Sequence, residues 1–365
     1  VVVVTGGLGS VGGAFAAAVL IGVIHALGVA LVPEATLVLV FLTMAVVLVL
    51  RPQGLGGAAL SVPQREAVPV FAALPDGRAG WVVQGLVALV LLWALGQGDY
   101  SRSLTEDLLV MLLLGLSLQV MMALGGLVSF GHSAFIGVGA YSVVMMWNLF
   151  GWSPWVGALV GIGASLLIAF LIGWPCFRFK IIGNYFAMVT LALSEIVRLV
   201  IVAMREQTGG SLGMTPKAAI AEASSYSLSA LQFSNKVVWF YVVMGFWLMG
   251  LYIWYRVDRS MSRLALEAIA EDEEAASSIG INISRTKMGI TLLSALMTCV
   301  GGILYAQYNL YVNPQTVASL SLSLQIVFGA IAGVGMGLAL LSKGPVGMAL
   351  PLIAAFLYLT FSRSW

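Results

Sequence analysis

The chain has 365 residues, 61% hydrophobic and 9% charged, with mean hydropathy +1.03 and net charge +2. Soluble domains carry roughly 25% charged residues, so 17 basic and 15 acidic side chains are too few to clothe a soluble globule of this length. Disorder is excluded by the apolar content, and a disulfide scaffold by the presence of only two cysteines, Cys176 and Cys299. A net charge this small gives no nucleic-acid partner. The remaining class is an all-α, polytopic transmembrane helical bundle surrounded by the lipid bilayer. The 42 glycines suit helices that pack closely through small residues.

At the N-terminus, four valines lead into Gly7-x-Gly9-x-x-Gly12, and Glu34 follows 22 positions after the last glycine. This imitates a dinucleotide-binding fingerprint, whose glycines let a pyrophosphate approach a helix N-terminus. That motif needs a strand–helix–strand unit with a water-facing side, whereas residues 13–32 are apolar on every face. These glycines are expected to serve tight packing or a break between membrane segments.

A spanning helix needs about 20 apolar residues. Hydrophobic segments are legible at 11–29, 35–50, 81–95, 108–128, 131–150, 155–175, 184–204, 237–255, 288–306, 322–341 and 346–362. They predict about 10–11 membrane segments, of which 35–50 and 81–95 are short for a full crossing. Residues 108–177 contain no charge, which is length for about three spans. The Gly-rich stretches around 125–139 and 329–337 are expected to be broken or re-entrant, a geometry tolerated only where protein or water surrounds the backbone. A barrel strand would alternate apolar and polar residues, and these runs do not. The chain starts without Met and stops just after an apolar segment, so both ends are expected to be cut. No signal-peptide pattern precedes the first segment.

Orientation follows from Lys and Arg in the loops. One set of alternate loops holds Arg51, Arg65, Arg78, Arg178, Lys180, Arg256, Arg259, Arg263, Arg285, Lys287 and Lys343. The other holds Arg102, Arg205, Lys217, Lys236 and Arg363. Eleven against five places the first set in the cytoplasm.

Residues 256–287 form the most polar stretch, with five basic and six acidic residues. Residues 264–279 are rich in Ala, Glu and Leu, strong helix formers. Ala265, Ile269 and Ala276 offer a small apolar stripe, and Gly280 and Asn282 suit a helix stop. The expectation is one short amphipathic helix on the cytoplasmic side. Within it, Glu274-Ala275-Ala276-x-x-x-Gly280 resembles the coupling loop of ABC importer permeases. The bland alternative is a solvated connector helix.

A wider set of motifs sharpens this. Residues 126–141 read GLVSFGHSAFIGVGAY, residues 184–187 NYFA, residues 195–199 EIVRL and residues 208–213 TGGSLG. Together with Leu266 to Ile269, Gly280 to Asn282 and Lys287, they resemble the LivM-type permeases of branched-chain amino acid ABC importers over about residues 81–345. Residues 1–55 resemble the C-terminal part of the sister LivH-type permease, 56–80 read as a linker with Pro63, Pro69 and Pro75, and 81–365 as a LivM-like domain truncated at its C-terminus. A Gly-rich turn plus helix occurs at 6–20 and again, with about four extra residues, at 335–352.

The resemblance implies a permease subunit of the bacterial inner membrane working by alternating access, without a covalent step or catalytic residue. Its implied partners are two cytoplasmic ATPase subunits, a periplasmic substrate-binding protein and a second permease half fused in the same chain. The implied ATPase-coupling residues are Glu267, Glu271, Glu274, Ala275, Ala276 and Gly280. ATP is used by the partner subunits, because no Gly-x-x-x-x-Gly-Lys-Ser/Thr loop occurs here and this chain binds no cofactor. The implied cargo is a branched-chain or related amino acid. Urea, short amides and other small carboxylates are alternatives within the family, and an ion-coupled secondary carrier is one outside it.

Polar groups inside predicted spans are the candidate pathway residues, since such groups face protein or a cavity. Glu195 and Arg198, three apart on one helical face, read either as a gate or as a pair that sets helix orientation. Ser129, His132 and Ser133 read as pathway lining or as helix packing at a break. His25 and His132 form no metal cluster, and no placed carboxylate makes a triad of Ser and His. Thr208, Gly209, Gly210 and Ser211 fall in an outer loop, where free glycine amides would suit a carboxylate or a binding protein. The competing reading there is an ordinary turn.

Overall fold

A computed structural model of the chain describes residues 1–57 apart from 8 and 52, and residues 99–328 apart from 182, 217–225, 228–229 and 234. The expected segments at 81–95 and 346–362, the Gly-rich stretch at 329–337 and the linker from 58 to 80 lie outside the described residues.

The chain opens with α1 (Val2–Gly6) and α2 (Val11–Leu31), the latter started by the Ser10 hydroxyl, which accepts from the Gly13 amide. A 3-10 turn at Pro33–Ala35 reverses it into α3 (Thr36–Leu50). Then come α4 (Asp99–Gly125), α5 (His132–Phe150), α6 (Pro154–Arg178), α7 (Asn184–Ala203) and the short α8 (Arg205–Thr208). Strand β1 (Tyr226–Ser227) pairs antiparallel with β2 (Gln232–Phe233). Next are α9 (Lys236–Asp258), α10 (Met261–Glu271), α11 (Glu273–Ser278), α12 (Ile283–Asn309) and α13 (Pro314–Val317). Residues 320–328 are helical to the end of the described stretch.

Six of these helices, α2, α5, α6, α7, α9 and α12, are long and apolar enough to cross a membrane, and α3 is a shorter apolar helix. Their positions match the expected segments to within a few residues. The exception is α4, expected from residue 108, which begins at Asp99. Its first turns carry Asp99, Arg102, Glu106 and Asp107, so hydropathy alone starts the segment too late. Lys236 at the start of α9 donates to Ser103 near the start of α4 (2.9 Å), which places these two expected outer loops at one end of the bundle.

Helix α12 sits at the centre and packs on α4, α5 and α6. It runs alongside α5 in the same direction, with Phe135 near Ala295 and Val143 near Ile303. Small residues permit the approach: a Cβ on Gly139 would come within 2.5 Å of the Cys299 carbonyl oxygen. Close packing through glycine replaces the hydrophobic drive that is missing between helices in lipid. Helix α4 lies against α12 in the opposite direction, with Leu114 on Gly301 and Ile290 beside Gly125.

The N-terminal glycines meet backbone rather than a ligand. The amides of Leu55 and Gly56 donate to the carbonyls of Thr5 (2.9 Å) and Gly6 (3.0 Å). A Cβ on Gly7 or Gly13 would overlap Gly56 or Gly57. The space that a pyrophosphate would need is filled by residues 53–57. Beyond this knot, α3 packs on α7, and Met44 and Leu48 join Phe186 and Val189 in one apolar cluster.

Candidate functional site

Between α4 and α5 the backbone leaves helical geometry over residues 126–131. Gly126, at φ +63°, ends α4, with its amide on the Met122 carbonyl and the Leu127 amide on the Met121 carbonyl. Leu127, Ser129 and Gly131 of the break are buried, and two of its amides find hydroxyls: Phe130 N donates to Thr190 Oγ1 (3.1 Å) and Gly131 N to Ser129 Oγ (3.1 Å). Irregular backbone here is supported because the amides of Gly126, Leu127, Phe130 and Gly131 are paired inside protein. Ser129 thus completes the break itself.

Helix α5 therefore begins inside the bundle. Its first residue, His132, is 1% exposed and pairs through Nε2 with Ser294 Oγ (2.9 Å), at the twelfth residue of the 27-residue α12. The Ser294 hydroxyl donates to the Ser117 carbonyl (2.6 Å). Its single proton is thereby used, so His132 Nε2 is the donor to Ser294. Ser117 Oγ also meets Thr298 Oγ1 (2.8 Å). The Ser133 hydroxyl meets Ser194 of α7 (2.5 Å) and Ser323 (2.8 Å), and Ser323 also accepts from the Ser133 amide (3.2 Å). These two clusters tie α4, α5, α7, α12 and the 320–328 helix together.

A cavity of about 20 Å³ adjoins them, lined by Ser129, His132, Thr190, Thr291 and Ser294 with Met121, Phe135 and Phe186 among its apolar walls. That is room for about one water molecule. Sites enclosing a small ligand measure roughly 300–1,000 Å³, so this cavity, bounded by the described residues, is too small for one.

Glu195 and Arg198 stand on a neighbouring face of α7. Arg198 donates from Nε (2.9 Å) and Nη2 (2.7 Å) to Glu195 Oε2. Both are half-buried and are paired with each other.

The outer loop differs from its expectation. Thr208 is buried, and its hydroxyl donates to the Ile201 and Met204 carbonyls (2.6 and 2.9 Å). The Gly209 amide binds the Arg205 carbonyl and the Gly210 amide binds Thr208 Oγ1, so these glycine amides are not free. The glycines are needed for positive φ, +73° at Gly209 and +59° at Gly210. Tyr311 Oη donates to the Leu212 carbonyl (2.7 Å) and Met214 pairs with Val312, which pins the turn to residues 311–313. Ser211 and Leu212 remain exposed at its tip.

The cytoplasmic loop is likewise corrected. Residues 264–279 are two helices, α10 and α11, broken at Asp272, whose extended backbone lets its carboxylate accept from the Glu274 and Ala275 amides (2.8 and 3.0 Å). A strong N-cap starts a second helix where composition alone suggested one. Gly280, at φ +90°, ends α11: its amide binds the Ser277 carbonyl and the Ile281 amide the Ala276 carbonyl.

Leu266, Ile269 and Ala276 face the bundle, so Ala276 seats the loop rather than presenting itself to a partner. Glu271, Glu274, Ala275, Gly280 and the apolar Leu264 and Ile279 face outward. Glu267 accepts from Arg263 Nε (2.8 Å), and Arg263 Nη1 also donates to Asp258 (2.6 Å). The Glu267 hydrogen bond, with Asp258, pushes the Arg263 pKa further up. Glu273 forms an ion pair with Lys287. No group of three or more His, Cys, Asp or Glu placed to hold a metal occurs among the described residues.

The family model described as branched-chain amino acid transport system / permease component matches residues 103–365. The chain belongs to this permease family. It is 26% identical to the high-affinity branched-chain amino acid transport system permease protein LivM of Salmonella typhimurium over 277 residues, 71% of this chain and 64% of that protein. It is also 26% identical to LivM of Escherichia coli over 274 residues, 70% of this chain and 64% of that protein. A probable LivH permease of Methanocaldococcus jannaschii is 28% identical over 208 residues, 54% of this chain and 62% of that protein. The chain spans a little under two thirds of the length of these curated relatives. No solved structure matches it. Permease-family membership and six apolar helices make it a multi-pass integral protein of the bacterial inner membrane.

The hydroxyls of Ser117, Thr190, Ser194, Ser294, Thr298 and Ser323 were absent from the sequence-based candidates. A signal existed: Lys287, Thr291, Ser294 and Thr298 recur at i, i+4, i+7 and i+11 in an apolar segment.

Proposed function

We propose that the chain is a transmembrane component of an ATP-driven importer that moves a branched-chain or related amino acid by alternating access. Membership of the permease family supports a transport role. The observation that carries the mechanism is the outward face of α11, a small-residue helix held rigidly at both ends by Asp272 and Gly280. A cytoplasmic ATPase subunit docks there, against Glu271, Glu274, Ala275, Gly280 and the exposed Leu264 and Ile279.

The closed hydroxyl layer around His132 and Ser133 is the gate, which opens when α5 and α12 separate. Cargo reaches it from the outer face, where a binding protein meets the exposed tip at Ser211 and Leu212. The α3–α7 contact is the seam between two permease halves. ATP acts on the partner subunits, and this chain needs no cofactor. Against an ion-coupled carrier using Glu195, that carboxylate is held by Arg198 rather than open to a cation.

The test replaces Glu274 with Lys and Gly280 with Val, then measures ATPase co-purification and amino-acid uptake in vesicles. Loss of both is expected. Wild-type levels of both overturn the docking assignment.

A further inference from the structure

Lys287 is 4% exposed, the only buried Lys or Arg among the described side chains, and its ammonium pairs with Glu273 on α11. A buried cation is costly unless paired, so this contact has one geometry that the fold must keep. The rest of the α11 seat is slight. Its six residues bury a single side chain, the methyl of Ala276. A pull applied to α11 would slide over so small a contact, whereas an ion pair desolvated at Lys287 resists both sliding and tilting.

The position of Lys287 on α12 gives the contact its reach. Lys287, Thr291, Ser294 and Thr298 lie on one stripe of a continuous helix, and the Thr291 hydroxyl donates to the Lys287 carbonyl (2.9 Å). Thr291 and Ser294 line the cavity, and Ser294 holds His132. At 1.5 Å per residue, about 10 Å of helix separates Lys287 from Ser294. A displacement of α11 therefore reaches the His132–Ser294 contact through one rigid element.

We infer that the Glu273–Lys287 ion pair is the strut that transmits ATPase movement from α11 to α12 and so to the hydroxyl layer, making both residues positioning residues for transport. This rests on the importer reading above. It assigns work to a pair that lies behind the docking face.

The test uses the complete transporter, with ATPases and binding protein, in proteoliposomes, comparing the wild type with Lys287→Met, Glu273→Gln and the exchange Glu273→Lys/Lys287→Glu. The readouts are ATPase co-purification, ATP hydrolysis and amino acid moved per ATP. Both single variants are expected to keep the ATPases bound and hydrolysing while uptake per ATP falls at least about tenfold. The exchange is expected to recover a substantial part of it. Should Lys287→Met fail to assemble, Glu273→Gln carries the test, because Glu273 is partly exposed. Wild-type uptake per ATP in an assembled single variant overturns the strut. Absence of ATP-dependent uptake in the wild type overturns instead the importer reading. Hydrogen exchange over residues 287–298 with and without bound ATPase judges the strut separately from uptake: a docking response in the wild type that is lost in Glu273→Gln supports it, and an unchanged response contradicts it.

Discussion

His132 Nε2 and Ser294 Oγ, 2.9 Å apart, join the first residue of α5 to the middle of α12. Because Ser294 spends its proton on the Ser117 carbonyl, the same hydroxyl ties three helices with one donor and one acceptor role. Ser294→Ala leaves the buried His132 N–H without its partner. The expected cost is about 1–3 kcal/mol, read as a lower melting temperature in detergent. In a double-mutant cycle with His132→Ala, the pair is expected to cost less than the sum of the singles, and strict additivity would remove the bond from the account.

Ser133, Ser194 and Ser323 fill their shared space with hydroxyls, and Ser133 and Ser194 are fully buried. Ser194→Leu would force a larger apolar side chain among them, at roughly 1–3 kcal/mol. The predicted phenotype is a transporter that assembles with its ATPase but takes up little amino acid, measured side by side in one preparation. Ser194→Ala, which keeps the space open, should retain more uptake than Ser194→Leu.

Arg198→Met strands the half-buried Glu195 carboxylate in a membrane segment. Removing one partner of such a pair is more damaging than removing both. Arg198→Met is therefore expected to lower thermal stability more than Glu195→Gln/Arg198→Met, as read by melting in detergent. The reverse order would show that the pair does not hold α7.

Asp272 caps α11 through two amides. Asp272→Ala is expected to cost about 1 kcal/mol of helix stability and to speed hydrogen exchange at the Glu274 and Ala275 amides several-fold. Amide protection unchanged at both would mean that the cap is not what starts the helix.

The spans were legible because a run of about 20 apolar residues needs no tertiary information to be recognised. Gly280 as a helix stop and the Gly-rich break after α4 were legible for a similar reason: local backbone geometry sets both. The Asp272 break was hidden by its neighbours, since Ala, Glu and Leu on both sides favour a continuous helix and only the cap decides otherwise. Glycine amides of the 208–211 loop looked available because their partners, Thr208 Oγ1 and the Arg205 carbonyl, depend on how the turn closes. The hydroxyl clusters join residues 61 to 190 positions apart, a relation that a single chain's local pattern does not reveal. Buried serines are also compatible with ordinary helix packing, so their spacing alone carried little weight.

The most direct test of the central claim is uptake of labelled leucine into proteoliposomes that contain the assembled transporter, with binding protein outside and ATP inside. Uptake is predicted to require internal ATP and to survive an ionophore that collapses ion gradients. Uptake that persists without ATP and stops with the ionophore would contradict the account and make the protein an ion-coupled carrier.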